Sequence, residues 1–142
     1  MARKTAAAPT VADIMMKPVL TATPDTTVAE ARRILMDSWI RHLPILEDEL
    51  LVGIVSDRDL RAVRDHATPL SAIMRSPVFV LSPCTPLKQA VRLLRDRRFG
   101  AVPVLDGRRL VGIISVVDVL RELNGRLSHL LRRRRDTAAP TG

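Results

Sequence analysis

Apolar positions along this chain fall into short runs and spaced stripes, and the same order of runs occurs twice. Val19, Leu20 and Thr21, and later Val78, Phe79 and Val80, are extended runs bounded by prolines, which predicts short strands. Thr23-Pro24-Asp25 and Ser82-Pro83-Cys84 carry turn chemistry. Thr26 and Thr85 then stand as helix N-caps, with Pro86 at the first helical position of the second copy, where its missing N–H is harmless. Val28, Ala31 and Leu35, and Leu87, Ala90 and Leu94, recur at helical spacing and predict one buried stripe per helix. Leu43 to Leu46 and Leu51 to Val55 flank the polar turn Glu47-Asp48-Glu49. Val102 to Leu105 and Leu110 to Ile114 flank Asp106-Gly107-Arg108, so each pair is expected to be a hairpin. A second helix is expected to start at Ser56 and at Ser115.

The two copies superpose without a gap at an offset of 59 residues, from Asp13 to Asp59. Ile14-Met15 meets Ile73-Met74, Pro18-Val19 meets Pro77-Val78, and Leu51-Val52-Gly53-Ile54 meets Leu110-Val111-Gly112-Ile113. Ser56 meets Ser115 and Asp59 meets Asp118. One supersecondary unit, β-α-β-β-α, is thus used twice, each copy covering the other's apolar face. The predicted fold is an α/β pair of tandem repeats about a pseudo-twofold axis. The expected organisation is a flexible N-terminus over 1–10, repeat 1 over 11–66, repeat 2 over 67–125 and a basic tail over 126–142.

Composition narrows the reading. Of 142 residues, 46% are apolar, enough for a core and against wholesale disorder. The longest apolar stretch, Leu110 to Val117, is far short of the roughly 20 residues a membrane-spanning helix needs. The single Cys84 excludes an internal disulfide framework and, with no signal-peptide pattern at the N-terminus, suggests the cytoplasm. The net charge is +8, but Arg3, Lys4 and the tail from Arg126 account for six of those charges, leaving the repeats at +2. Basic ends attract nucleic acid or an acidic surface, or simply aid solubility.

Each repeat closes on Gly, two aliphatic residues and then Ser-x-x-Asp: Ser56 and Asp59, Ser115 and Asp118. Two readings stay open. The pair is close to a capping box, in which serine caps the helix and the acid reaches back. Equally, a helix start attracts phosphate, and a carboxylate one turn on can accept two hydrogen bonds from a ribose diol.

The ordered set resembles the CBS domain, and specifically a CBS pair or Bateman module. The matching text is Asp13-Ile-Met-Met-Lys-Pro, Thr23-Pro-Asp-Thr-Thr-Val-Ala-Glu-Ala, Arg41-His-Leu-Pro-Ile and Leu51-Val-Gly-Ile-Val-Ser-Asp-Arg-Asp-Leu, echoed by Ile73-Met-Arg-Ser-Pro, Gly100-Ala-Val-Pro-Val and Leu110-Val-Gly-Ile-Ile-Ser-Val-Val-Asp-Val. The resemblance spans about residues 11 to 124. It implies a stand-alone regulatory module and not an enzyme. Such a module binds an adenosine nucleotide (ATP, ADP or AMP) in clefts between the repeats, has no prosthetic group, forms a homodimer and signals to a regulated protein. One cleft would use Ser56, Arg58 and Asp59 with Phe79, Val80, Gly100, Ala101 and Pro103. The other would use Ser115 and Asp118 with Leu20, Thr21, Arg41, His42 and Pro44. Asp59 and Asp118 would hold ribose; Ser56 with Arg58, and Arg41 or His42, would meet phosphates. Val116 and Val117 replace Asp57 and Arg58 in the second cleft, so Arg41 and His42 would have to supply its cations.

Other features read more plainly. His42, His66 and His129 have no metal-ligand spacing, and Cys84 replaces Asp25 in a turn as a spectator. Trp39, Met15, Met36 and Met74 would fill the core or a dimer face. Leu120, Leu123, Leu127 and Leu130 continue at helical spacing, for a subunit interface or a basic amphipathic contact, with Asn124-Gly125 a candidate break. Two alternatives to nucleotide sensing remain. One is a nucleic-acid contact through Arg132 to Arg135, which the near absence of aromatic residues disfavours. The other is a degenerate pair retained only for dimerisation.

Overall fold

The computed structural model describes residues 8–137. In chain order its elements are α1 (Val11–Ile14), α2 (Val28–Ser38), β1 (His42–Glu47), β2 (Leu50–Ser56), α3 (Asp57–Arg61), a 3₁₀ turn (Leu70–Ala72), α4 (Leu87–Arg97), β3 (Ala101–Asp106), β4 (Arg109–Ser115) and α5 (Val116–Thr137). The fold is the mixed α/β pair that the repeat predicts.

Both hairpins form antiparallel, and they share one register. His42 faces Ser56 in the first, Ala101 faces Ser115 in the second, and each slips one residue at the same place, Ile45/Leu46 and Val104/Leu105. The first turn holds Asp48 and Glu49 at φ 49° and 65°, left-handed backbone that short polar turns accept. The runs at 19–21 and 78–80 do not make strands. Each ends in a single parallel bridge, Ala22 to Ile45 and Leu81 to Val104. Pro18 and Pro24, and Pro77 and Pro83, keep these segments extended but offer no N–H for a ladder.

Helix starts also fall one residue later than the sequence suggests. Thr27, not Thr26, caps α2: its hydroxyl accepts from the Glu30 N–H at 3.2 Å, and the Glu30 carboxylate accepts from the Thr27 N–H at 3.1 Å. Thr26 and Thr85 instead close the preceding turns, accepting from the Thr23 and Ser82 N–H groups at 3.1 Å. Pro86 occupies the cap position of α4 and supplies no side-chain cap. Val28, Ala31 and Leu35, and Ala90 and Leu94, are buried as their spacing predicts, with Leu87 packed beside them. Both helices end in left-handed residues at matched positions, Trp39 and Arg98. Trp39 is 95% exposed and Met36 75%, so neither is a core residue.

The two cores exchange their leading segments. The core around α2, β1 and β2 is completed by Leu70, Ile73 and Met74 from the start of the second repeat. The core around α4, β3 and β4 is completed by Val11, Ile14 and Met15 from the start of the first. Backbone bridges lock the exchange: Met16 to Ile113, and Arg75 to Ile54. Met74 lies against Gly53 and Met15 against Gly112, so closely that neither glycine has room for a β-carbon.

α5 runs unbroken through Asn124 and Gly125, contrary to the expected stop. A mid-helix glycine costs about 1 kcal/mol relative to alanine, which flanking leucines and arginines with good helix propensity can offset. Leu120, Leu123, Leu127, Leu130 and Leu131 lie exposed along it. None of the described helices is long and apolar enough to cross a membrane.

Candidate functional site

The two halves meet along β2 and β4. Beside this seam opens a cavity of about 850 Å³, lined by β2, α3, Arg75 and the stretches 77–79 and 98–102. Ser56, Arg58, Asp59, Phe79, Gly100 and Ala101 line it together. Of the residues expected beside them, Val80 and Pro103 do not line it; Pro103 is fully buried inside β3.

β2 delivers Ser56 to the start of α3, and the capping box closes as the motif predicts. The Asp59 N–H donates to Ser56 Oγ at 3.1 Å, and the Ser56 N–H donates to Asp59 Oδ2 at 3.0 Å. Asp59 Oδ1 accepts from Arg75 Nη2 at 3.1 Å. Burial pushes the Asp59 carboxyl up, but its hydrogen bonds with Ser56 and the Arg75 guanidinium together outweigh that and hold it below the usual carboxylate value. The group is therefore an ionised acceptor at neutral pH. α3 spans only five residues, so its dipole is a weak source of positive charge, and an anion here would rely on side-chain cations.

Those cations are present. Arg41, Arg58, Arg61, Arg75 and Arg98 all line the cavity, against the carboxylates of Asp57 and Asp59. Arg61 pairs with Asp57 at 2.9 Å and Arg75 with Asp59. Arg41 and His42, expected at the other cleft, lie on this one. The reason is strand register: His42 faces Ser56, and the Arg41 carbonyl accepts from the Asp57 N–H at 2.8 Å. Burial lowers the His42 pKa; Asp59 partly restores it and Arg41 depresses it further. The His42 ring lies against Gly100, where a β-carbon would stand 2.5 Å from Nε2. Part of the lining is aromatic. Phe79 and Phe99 are tilted against each other with ring centroids 5.2 Å apart, and the Arg97 guanidinium lies 5.1 Å above Phe79.

At the second Ser-x-x-Asp the capping box also closes. Ser115 Oγ and N–H both donate to Asp118 Oδ2, at 2.8 and 2.9 Å, and the Asp118 N–H donates to Ser115 Oγ at 3.2 Å. Leu20 is exposed, Thr21 is half-buried and Pro44 is fully buried in β1. None of Leu20, Thr21, Pro44, Ser115 or Asp118 lines the arginine-rich cavity.

Motif reasoning missed Arg61, Arg75, Arg98 and Phe99. Their signal was available in the repeat itself, since each is charged or aromatic where the other copy carries an aliphatic residue, methionine or tryptophan. No group of His, Cys, Asp and Glu among the described residues could hold a metal ion.

Similarity to known proteins agrees with this architecture. A profile of the CBS domain matches residues 11–66 and again 70–125. The CBS domain-containing protein YhcV of Bacillus subtilis is 31% identical over 114 residues, covering 77% of this chain and 81% of that protein. Inosine-5'-monophosphate dehydrogenase of Methanocaldococcus jannaschii is 32% identical over 77% of this chain, but the match spans only 22% of the dehydrogenase. Among solved structures, the CBS domain pair of protein MJ0100 in complex with 5'-methylthioadenosine and S-adenosyl-L-methionine has a TM-score of 0.78 and 31% identity, covering 84% of this chain and 98% of that one. CBSX2 in complex with AMP has a TM-score of 0.74 and 29% identity, covering 82% and 96%. With one unit used twice, and a profile match to each copy, the chain belongs to the CBS-domain family.

Proposed function

We propose that this chain is a regulatory module that binds an adenosine nucleotide in the cleft between its repeats and passes that occupancy to a partner protein. The observation that carries the reading is the Asp59 carboxylate, kept ionised on the wall of a cavity of about 850 Å³ between an aromatic surface and a group of arginines. That volume lies within the range of small-molecule sites. Asp59 would accept from the ribose diol after releasing Arg75. Ser56 and Arg58 would meet phosphate, and Phe79, Gly100 and Ala101 would flank the base. The complexes of MJ0100 with S-adenosyl-L-methionine and of CBSX2 with AMP, on the same fold, support an adenosine ligand. The chain would act in the cytoplasm as a homodimer, its exposed α5 leucines being one face available for pairing, and would do no chemistry of its own. The enzymes it resembles match through a small part of their length.

Thermal unfolding with ATP, ADP, AMP and S-adenosyl-L-methionine tests this. A ligand that binds the folded form alone adds about 2.7 kcal/mol at 100-fold excess over its Kd, and Asp59→Ala should remove the shift. No shift with any of the four would refute nucleotide sensing and favour a pair retained for assembly.

A further inference from the structure

The two Ser-x-x-Asp segments are related by the repeat, but the residues the repeat places around them are not alike. Position for position, Arg41 corresponds to Gly100, Arg58 to Val117, Arg61 to Leu120, Arg75 to Met16 and Arg98 to Trp39. Arg41 and Gly100 both line the cavity, so that pair is common to the two sides, whereas Arg58, Arg61, Arg75 and Arg98 each give way to an uncharged residue. Both phenylalanines of the chain also line this cavity, and their counterparts are Leu20 and Ile40. Such one-sidedness is hard to obtain from drift alone, because the glycines, serines, aspartates and hairpin registers of the two copies still match.

We propose that the chain takes one nucleotide per polypeptide, at the Ser56–Asp59 cleft only, and that this cleft selects a ligand carrying two or more phosphates. The inference rests on the nucleotide reading above and deepens it. Five guanidiniums and two carboxylates line the cavity. Among the described residues, no carboxylate lies within ion-pair distance of Arg41, Arg58 or Arg98, whereas Arg61 and Arg75 are paired. Arg41 and Arg58 come from the first repeat and Arg98 from the second, and an oligophosphate offers these three guanidiniums more charged oxygens than a single phosphate does. Arg75 adds a second consequence. When ribose takes Asp59, the Arg75 guanidinium loses its partner in a region already rich in positive charge, and a further phosphate is the natural replacement. Met16 offers nothing comparable at the Asp118 side, where an oligophosphate would meet Val117 and Leu120. Exposed pairs are individually weak and screened by salt. The selectivity should therefore be cumulative, about tenfold per added phosphate, the worth of one charge-assisted hydrogen bond.

Isothermal titration calorimetry on the full chain with adenosine, AMP, ADP, ATP and inorganic tripolyphosphate, at low and high salt, tests the proposal. The expected result is one ATP per chain, with affinity rising from AMP to ATP and the preference shrinking in salt. Arg58→Val with Arg75→Met gives the charged cleft its counterpart's residues. That variant should keep adenosine affinity within a few fold and lose most of the ATP preference, its folding checked by circular dichroism. Should it fail to fold, the stoichiometry and salt dependence of the unaltered chain decide the matter. Two ATP per chain, or AMP bound as tightly as ATP, would overturn the inference while leaving nucleotide sensing intact. If tripolyphosphate binds and no adenosine ligand does, the nucleotide reading fails and this inference with it.

Discussion

Replacing Gly53 by alanine places a β-carbon 2.5 Å from Met74 Sδ and 2.8 Å from its Cγ, too close for the present packing. Overpacking of this kind costs about 1–3 kcal/mol. Methionine is adaptable and Met74 is only half-buried, so a cost of about 1–2 kcal/mol is expected. For a chain of this length each kcal/mol moves the melting temperature by about 4 °C, giving a fall of about 4–8 °C. Met74→Ala removes the obstacle, so the double variant should lose less than the two single losses combined, with a coupling of about 1 kcal/mol. The same change carries a second readout. Arg75 follows Met74 and is tied to Ile54 by two backbone hydrogen bonds of 3.0 and 3.2 Å, so displacing Met74 is expected to disturb the Arg75–Asp59 pair. Gly112→Ala is the matched control, because its β-carbon meets Met15, with Cγ at 2.8 Å, but the next residue is the uncharged Met16. It should cost similar stability and spare nucleotide binding. Differential scanning fluorimetry and titration of all four variants check both parts. A Gly53→Ala protein that melts with the unaltered chain, or strictly additive losses in the cycle, would refute the reasoning.

Three further outcomes follow from electrostatics and capping. The Asp59 carboxyl titrates below its ordinary 3.8, so its contribution to stability is full above that value and is lost as pH falls through the lower folded-state value. His42 also titrates below its ordinary 6.5, so the unfolded chain takes that proton first and stability declines as pH drops below about 6.5; melting curves of His42→Gln should be flatter between pH 5 and 7, and an unchanged slope would contradict this. Thr27→Ala removes the hydroxyl that caps α2 and should lower stability by about 1 kcal/mol in urea unfolding, and an unshifted midpoint would contradict the cap.

The repeat, its hairpins and its buried stripes were legible in the sequence because they rest on local pattern: Val28, Ala31 and Leu35 cannot face one core except as a helix. Caps were harder. Thr26 and Thr27 are chemically equivalent, and only Glu30 at the third helical position decides between them. Residues 19–21 have the composition of a strand but lack partners along most of their length, which is a property of the neighbours. At the candidate site, Ser56 and Asp59 are visible as a motif, whereas the place of Arg41 and His42 on the same cavity is not. Their position follows from pairing His42 with Ser56, a fact of register. Arg75 lies 16 residues from Asp59 and reaches it only because the leading segments change places.

That exchange makes the chain indivisible at its middle. A cut between residues 67 and 69 would leave the N-terminal fragment without Leu70 and the C-terminal one without Val11, and neither could close its own interior. The copies are obligate twins. One of them can differ in the charges it carries after its Ser-x-x-Asp and still persist, because its sibling cannot fold without it.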